Sequence, residues 1–262
     1  MGGAASRLPG MDGRPAGGGF TKRRPDAPEH FFAAEDAGLR WLSVPGGARV
    51  AGVHRVSRTS LTIDRVTPGS PGPEAAEEFG RRLAVTHDAG ASFFGVGPDA
   101  GPGVGWIGDA PLPLRTAPPE SWGAWYAEDR LLSHAWRAGL ADPVLDRVTE
   151  RLASGVFDDD APPARIHGDL WSGNVLWSPD GVVLIDPAAH GGHRITDLAM
   201  LALFGTPHQA RIHAAYAEAS GRLPDGWHDL IGLHQLHPLL VHAELFGGGY
   251  RNQALEVARR YL

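Results

Sequence analysis

The sequence predicts an α+β fold in two unequal parts, a small mixed part followed by a larger and mostly helical one. Before residue 67, one run of apolar residues has helical spacing and two short runs are typical of strands. A Pro/Gly-rich break covers residues 67–73, and helical spacing dominates after it. We therefore predict an N-terminal lobe at residues 1–67 and a C-terminal lobe at residues 68–262.

The N-terminal lobe is predicted to contain an antiparallel sheet and one helix. The Gly-rich residues 1–19 indicate loops or short strands, and Phe20-Thr21-Lys22 is typical of the end of a strand. Apolar residues three and four positions apart predict a helix that the run Pro45-Gly46-Gly47 ends. The helix is predicted at residues 28–42, and the strands at residues 50–54 and 60–66.

The C-terminal lobe is predicted to be helical, with a small β insert in its middle. One helix begins at Asp142-Pro143, because Asp is a favoured N-cap and Pro suits the first helical position. Residues 95–119 indicate a long Gly/Pro loop. The other helices are predicted at residues 74–87, 121–132, 197–204, 208–220, 230–246 and 252–262, and the strands at 165–167, 175–177 and 182–186.

Composition excludes several classes of protein. A net charge of -6 argues against a general nucleic-acid binder, which would carry a basic stripe. No apolar run reaches the length of about 18 residues that a membrane span needs. The absence of cysteine excludes disulfides, thiolate zinc sites and a cysteine nucleophile. With no signal-peptide pattern at the start, we expect a cytoplasmic protein without a membrane partner.

The most specific pattern is H-G-D-x-x-x-x-N at residues 167–174, followed by an apolar strand that leads to Asp186. Phosphoryl transfer needs a carboxylate beside the attacking hydroxyl and oxygen ligands for magnesium. Asp169 is predicted to orient the hydroxyl and take its proton. Asn174 and Asp186 are predicted to hold the metal. Each residue alone is common in turns, but the three together predict a small-molecule kinase that uses ATP and Mg²⁺.

A second pattern points to the nucleotide. Lys22 is the one lysine in the sequence, and it ends a strand that precedes the helix carrying Glu35. Kinases use such an ion pair to aim a lysine at the α- and β-phosphates. The alternative is a solvated Lys-Arg-Arg run. Gly2 and Gly3 are candidates for a turn that covers the phosphates with its backbone N–H groups.

The segment at residues 190–200 contains further polar candidates. Asp197 is predicted to N-cap the next helix while it pairs with Arg194 or holds the catalytic loop. His193 is a candidate for substrate binding, with a structural role as the alternative. His234 and His237 have helical spacing, but no third ligand is fixed by spacing, so a zinc site is not predicted.

These residues resemble those of the fructosamine/ketosamine kinase family, within the aminoglycoside-phosphotransferase-like kinases. The wider group has H-G-D-x-x-x-x-N, and the narrower family adds Trp two residues after the Asp and Gly before the Asn, as at Trp171 and Gly173. The resemblance extends over nearly the whole chain from Phe20. Its other matches are Asp186-Pro187, Leu203-Phe204-Gly205, and residues 79–87, 106–108, 121–131, 192–200, 237–243 and 246–250.

The resemblance implies a two-lobed protein-kinase-like fold with ATP between the lobes. It implies phosphorylation of the 3-hydroxyl of a ketoamine, either a small molecule or protein-linked, and a role in deglycation. Lys22 and Glu35 match the ion pair of the N-terminal lobe, and Asp64 matches the start of the hinge that meets adenine. Asp169, Asn174 and Asp186 match the catalytic and metal positions, and Trp171 would line the sugar site.

The sequence also departs from the family. Gly2-Gly3 follows Met1 directly, where the family has a strand, and residues 6–19 are rich in Pro and Gly where a second strand is expected. Without cysteine, the redox-sensitive dimerisation of some members is absent, and we expect a monomer. Two alternatives stay open: a kinase for another small acceptor, of the aminoglycoside, choline or homoserine type, and a weakly active pseudokinase used for binding.

Overall fold

A three-stranded antiparallel sheet forms the N-terminal part of the structure, a computed structural model that describes residues 18–99 and 101–262. Its strands are β1 (Gly19–Arg23), β2 (Val53–Ser57) and β3 (Ser60–Asp64), in the order β1-β3-β2. Lys22 lies opposite Leu61 in the register of β1 with β3. The predicted strands are confirmed, with shifts of up to three residues at their ends. Gly2 and Gly3 lie outside the described residues.

Helix α1 (Phe31–Leu42) packs on this sheet. Phe32 and Leu39 of α1 share a hydrophobic cluster with Leu61 and Ile63 of β3. The helix begins three residues later than predicted, because the Phe31 N–H donates to the Pro28 carbonyl in a preceding turn. This packing holds α1 on the sheet, where Glu35 of the helix pairs with Lys22 of β1.

The chain leaves β3 at Asp64 and enters α2 (Pro73–Asp88), so the predicted lobe boundary falls in the connecting segment. The prediction of a continuous loop at residues 95–119 is wrong. The segment contains a hairpin, β4 (Gly105–Ile107) paired with β5 (Ala110–Leu112), with Gly108 at a φ of 54° in its turn. Strands of three residues are too short to show period-two alternation beside so much Gly and Pro.

One helical run extends from Trp122 to Arg137, five residues further than predicted. It consists of α3 (Trp122–Trp125), a π-helix (Tyr126–Leu132) and α4 (Ser133–Arg137). Ser121 caps its start, since its hydroxyl accepts from the Ala124 N–H at 3.1 Å. Helix α5 (Pro143–Ala153) begins as predicted, with the Asp142 carboxylate accepting from the Val144 N–H at 2.8 Å.

Four short strands follow α5 and frame the predicted catalytic segment. They are β6 (Ala164–Ile166), β7 (Val175–Ser178), β8 (Gly181–Leu184) and β9 (His190–Gly192), paired as β6-β9 and β7-β8. The first three confirm the predicted β insert. Strand β9 was not predicted, because its sequence His-Gly-Gly has low β propensity. A Cβ on Gly191 would lie 2.3 Å from the Phe93 carbonyl oxygen, so the close approach of these segments requires glycine.

The remaining elements are helical and complete the α+β fold that the sequence predicts. Gly80 of α2 lies against α7 (Gln209–Ser220), where an added Cβ would be 2.3 Å from the Ile212 carbonyl oxygen. None of the helices in residues 18–99 and 101–262 is long and apolar enough to cross a membrane. The last helices are α6 (Arg194–Leu203), α7 (Gln209–Ser220), α8 (Ile231–Phe246) and α9 (Tyr250–Ala258).

Candidate active site

The segment from His167 to Asn174 leaves β6 as a tight loop held by the buried carboxylate of Asp197. The Asp197 oxygens accept from the His167 N–H at 2.7 Å and from the Gly168 N–H at 2.9 Å. Gly168 has a φ of 79°, and a Cβ there would lie 2.3 Å from the Ala188 carbonyl oxygen. Only glycine fits this turn without strain. Asp197 therefore positions the loop on which the candidate catalytic carboxylate lies.

Asp197 does not cap α6, and that part of the prediction is wrong. The cap is His193, whose Nδ1 accepts from the Ile195 N–H at 3.2 Å. Asp197 lies one turn further into the helix, and its third partner is Nε2 of His87 at 3.1 Å. Burial alone would raise the pKa of Asp197, but the hydrogen bonds from His87 and from the loop hold it below its ordinary value of 3.8. The carboxylate is ionised at neutral pH.

Asp169 and Asn174 lie together at the two ends of the loop. The Asn174 side-chain amide donates to the main-chain oxygen of Asp169 at 2.8 Å and to its carboxylate at 3.0 Å. Burial raises the pKa of Asp169 to about 7, against the opposing effect of the Asn174 hydrogen bond. A carboxylate with a pKa near the working pH suits general-base catalysis.

Lys22, Glu35 and Asp186 form a second group of charged side chains next to the loop. The Lys22 ammonium pairs with both carboxylates, and its side chain is 3% exposed. Asp186 lies two residues beyond β8 and not at its end, with a φ of 57°. A non-glycine residue in this left-handed region is strained, which is common at functional sites. The Asp186 carboxylate is 36% exposed, so part of it faces solvent.

His167 links the loop to the segment that carries Asp186. Its Nε2 donates to the Ile185 carbonyl at 3.0 Å, and its Nδ1 accepts from the Asp169 N–H at 3.2 Å. Burial lowers the pKa of His167, which favours this neutral form with one donor and one acceptor. The Asn174 amide also donates to the Asp186 carbonyl at 3.4 Å. The structure thus brings together all five residues predicted for the catalytic, metal and ion-pair positions.

Trp171 lies on the same loop, two residues after Asp169, and its ring covers Gly173. A Cβ on Gly173 would lie 2.3 Å from the nearest ring atoms, so the ring can occupy this position only over glycine. Trp171 is partly exposed and meets Phe204 edge to face, with 6.5 Å between ring centroids. This position is compatible with the predicted sugar site, which stays a prediction.

The surroundings of His193 favour the structural alternative over substrate binding, which stays a prediction. Its side chain is 2% exposed, and its ring packs between Trp122 and His234. Both of its nitrogens are occupied, Nδ1 by the helix cap and Nε2 by the Asp159 carboxylate at 3.2 Å. No polar atom of His193 is left for a substrate hydroxyl.

Asp64 ends β3, and its carboxylate is already bonded within the sheet. It accepts from the Gly52 N–H at 2.8 Å and contacts Nε2 of His54 at 2.7 Å. The carboxylate is 53% exposed, and the prediction that it marks the adenine hinge stays a prediction.

Sequence reasoning missed the support behind the loop. His87 on α2 bonds to Asp197 on α6, and its other nitrogen accepts from the Tyr216 hydroxyl at 2.8 Å. The bond from His87 to Tyr216 joins residues that are 129 positions apart along the chain, and the bond from His87 to Asp197 joins residues that are 110 positions apart. No local spacing could have indicated them.

The chain was compared with known proteins. A family model described as fructosamine kinase matches residues 16–262. The chain belongs to the fructosamine kinase family. A probable ketoamine kinase of Thermus thermophilus is 32% identical over 239 residues, which cover 88% of this chain and 82% of the relative.

Solved structures agree with this assignment. A candidate fructosamine-3-kinase from Thermobifida fusca matches with a TM-score of 0.84 and 42% identity, over 96% of this chain and 93% of that one. A thermostable mutant of an aminoglycoside phosphotransferase matches with a TM-score of 0.59 over 95% of this chain and 94% of that one. At 13% identity, the second match shows the fold alone. The two-lobed, protein-kinase-like fold is confirmed, and so is the enzyme class, a phosphotransferase that acts on a hydroxyl group.

Proposed function

We propose that this fructosamine kinase family member transfers the γ-phosphate of ATP to the 3-hydroxyl of a ketoamine and thereby acts in deglycation. The observation that carries the proposal is the convergence of Asp169, Asn174 and Asp186 around one short loop. Phosphoryl transfer needs little from a protein beyond positioning and charge. A carboxylate for the hydroxyl and oxygen donors for the metal therefore make up most of the required site.

Lys22 is proposed to hold the α- and β-phosphates of the nucleotide. It is buried on β1, and Glu35 of α1 fixes its direction. Lys22 also pairs with Asp186, so the ammonium lies between the helix and the residue proposed to hold the metal. Asp64 and Gly2-Gly3 are proposed to flank the adenine and the phosphates, respectively.

Asn174 and Asp186 fit a magnesium ion. An amide oxygen and a partly exposed carboxylate are the hard oxygen donors that Mg²⁺ prefers. Within residues 18–99 and 101–262, no group of three or more His, Asp or Glu side chains is placed to hold a metal unaided. This fits an ion that shares its ligands with nucleotide phosphates and water. When bound, the ion would neutralise the charge on the transferring phosphate.

Asp169 is proposed to act on the acceptor hydroxyl. The hydroxyl oxygen attacks the γ-phosphorus, the bond from that phosphorus to ADP breaks, and the hydroxyl proton passes to Asp169. Asn174 steadies the carboxylate by its hydrogen bond at 3.0 Å, and Asp197 fixes the loop behind it. Trp171 would lie against one face of the sugar, since a flat apolar ring suits the C–H face of a sugar ring.

The chemistry of the product supports a role in deglycation. A phosphate at C3 next to the C2 carbonyl is a better leaving group than a hydroxyl. Loss of a proton from C1 gives an enaminol, which expels phosphate from C3 and leaves an imine between C1 and the nitrogen. Water adds to C1 of that imine, the C1–N bond breaks, and the free amine and a dicarbonyl sugar are released. The enzyme would need only to phosphorylate, and the amine would be recovered without a further catalyst.

The test is acceptor-dependent ADP release from Mg-ATP, with a ribulosamine or fructosamine of lysine as acceptor. Asp169→Asn should lower kcat by ~10²–10⁴-fold, the usual range for a general base, while nucleotide binding is retained. Asp186→Ala should weaken binding of Mg-ATP as well. Asp146→Asn, on the exposed face of α5, is the matched control and should leave kcat unchanged.

Two outcomes would overturn the proposal. The first is no ADP release with any ketoamine acceptor, and the second is full turnover by Asp169→Asn. Nucleotide binding without turnover would favour the pseudokinase alternative. Turnover with an amino alcohol or an aminoglycoside in place of the ketoamine would favour the other small-molecule kinases.

A further inference from the structure

A row of aromatic rings leads away from the catalytic loop. Trp171 contacts Phe204 at the end of α6, with 6.5 Å between centroids, and Phe204 contacts His242 of α8 at 4.9 Å. His242 in turn contacts Phe246 at 5.5 Å and Tyr250 at 5.0 Å. We name these five residues the aromatic track.

Two rings of the track are exposed to solvent, and the other three are partly buried. Phe204 is 41% exposed and Phe246 is 46% exposed. Neither ring belongs to a hydrophobic core cluster among residues 18–99 and 101–262. Two exposed phenylalanine rings joined through His242, in a row that begins on the catalytic loop, are typical of a binding surface and not of core packing.

A turn after α8 brings the last residue of the track, Tyr250, next to His242. Gly247 and Gly248 have φ values of 62° and 59°, a conformation that L side chains rarely adopt. This turn reverses the chain so that Tyr250, at the start of α9, returns to the His242 ring. The His242 Nδ1 donates to the Pro238 carbonyl at 2.7 Å, which fixes the central ring.

The proposed reaction decides what would lie on the track, and the following inference rests on that proposal. Three covalent bonds separate C3 of a ketoamine from its amine nitrogen, a span of about 4 Å, like that between neighbouring Cα atoms. With the 3-hydroxyl at Asp169, the amine and its substituent must begin close to Trp171. The track begins at Trp171 and is therefore within reach of that substituent.

We propose that the aromatic track binds apolar side chains that flank a glycated lysine, so that the preferred acceptor is a ketoamine on a peptide segment. The lysine chain places its own Cα about 6 Å beyond the amine and so about 10 Å from C3. The ring contacts from Trp171 through Phe204 to His242 cover a similar distance. The flanking residues of a peptide would therefore lie beside Phe204 and Phe246.

The track lacks positive charge, which suits the protonated amine of a ketoamine. None of its five side chains is cationic at neutral pH, because burial lowers the pKa of His242. A ketoamine nitrogen is a protonated secondary amine, and aromatic faces attract such cations. The track would thus accept the amine near Trp171 and an apolar chain further on.

The experiment compares two glycated peptides that differ only beside the modified lysine, one with leucine on both sides and one with serine. Wild type should show a kcat/KM ~5–10-fold higher for the leucine peptide, as expected when a few exposed aromatic contacts are made. Phe204→Ser and Phe246→Ser should each reduce that ratio towards one. Trp136→Ser is the matched control, an 81% exposed aromatic side chain on α4 outside the track, and should keep the ratio.

Three results, obtained with a wild type that phosphorylates ketoamines, would overturn the inference alone. Wild type could use both peptides equally, or both phenylalanine variants could keep the wild-type ratio. An equal loss of turnover on both peptides would assign the phenylalanines a structural role. If no ketoamine is phosphorylated at all, the proposed function fails and the inference fails with it. Thermal melting of each variant separates a loss of the ratio from a loss of fold.

Discussion

Asp197→Asn tests whether one buried carboxylate holds the catalytic loop. The substitution keeps the shape of the side chain but replaces one oxygen by an amide NH₂. The His167 and Gly168 N–H groups bond to different oxygens of Asp197, and His87 shares the oxygen used by His167. Whichever way the asparagine turns, at least one main-chain N–H therefore faces a donor.

The magnitude follows from this geometry. The best orientation keeps the oxygen towards His167 and His87 and sets the NH₂ against the Gly168 N–H. One hydrogen bond to a charged acceptor is lost, and one buried N–H is left without a partner. Together these should lower the free energy of unfolding by about 2–4 kcal/mol. The loop would also shift, and a displacement near 1 Å can lower kcat by ~10²-fold.

The assay is denaturant unfolding of wild type and Asp197→Asn at several pH values, with kcat measured on the same samples. The folded state lowers the pKa of Asp197, so its contribution to stability is present above the ordinary value of 3.8 and is lost as the pH falls below it. The difference between the two proteins should therefore be constant from pH 6 to pH 8 and should shrink below about pH 4.

Asp146→Asn is the control, because this exposed carboxylate in the first turn of α5 should change stability by less than about 1 kcal/mol. The reasoning would be refuted if Asp197→Asn unfolded at the wild-type denaturant concentration and kept the wild-type kcat.

Three further predictions concern the loop and its surroundings. Burial raises the pKa of Asp169 to about 7, so wild type loses stability as the pH rises from about 4 to about 7. The melting temperature of Asp169→Asn should therefore exceed that of wild type by more at pH 8 than at pH 5. Equal differences in melting temperature at the two pH values would contradict this. Gly173→Ala places a Cβ 2.3 Å from the Trp171 ring and should lower kcat/KM for the ketoamine by ~10²-fold while the KM for ATP is unchanged. Steady-state kinetics with each substrate varied in turn will measure both values. A rise in the KM for ATP as well as in the KM for the ketoamine would contradict this reasoning. His193→Ala removes a helix cap and a buried ring and should lower the free energy of unfolding by about 2 kcal/mol in denaturant unfolding. The KM for the ketoamine should be unchanged, and a raised KM would support a role for His193 in substrate binding.

The sequence predicts an element or a site most accurately where neighbouring residues alone determine it. Asp142-Pro143 begins α5 because an N-cap and a first-turn proline act locally. Asp169 and Asn174 are five positions apart, so their spacing alone predicts one loop, and the structure confirms their contact. Lys22 was found because it is the one lysine in the sequence.

What the sequence does not predict has a different cause, which is dependence on distant parts of the chain. Strand β9 exists because Gly191 fits against the Phe93 carbonyl, and this packing leaves no mark in local propensity. His193 has the residue type of a binding group, but Trp122, Asp159 and His234 enclose it. Burial by three other segments cannot be read from a motif.

The ion pair of Lys22 has a consequence for the chemical resistance of the protein. Ketoamines form when reducing sugars react with uncharged, accessible amines. Lys22 is the one lysine among 262 residues, and it is 3% exposed and paired with two carboxylates. The folded chain therefore offers sugars no accessible lysine side chain. A protein proposed to remove sugar adducts from lysines would itself be protected from acquiring them at its catalytic lysine, even in the sugar-rich conditions in which its substrates arise.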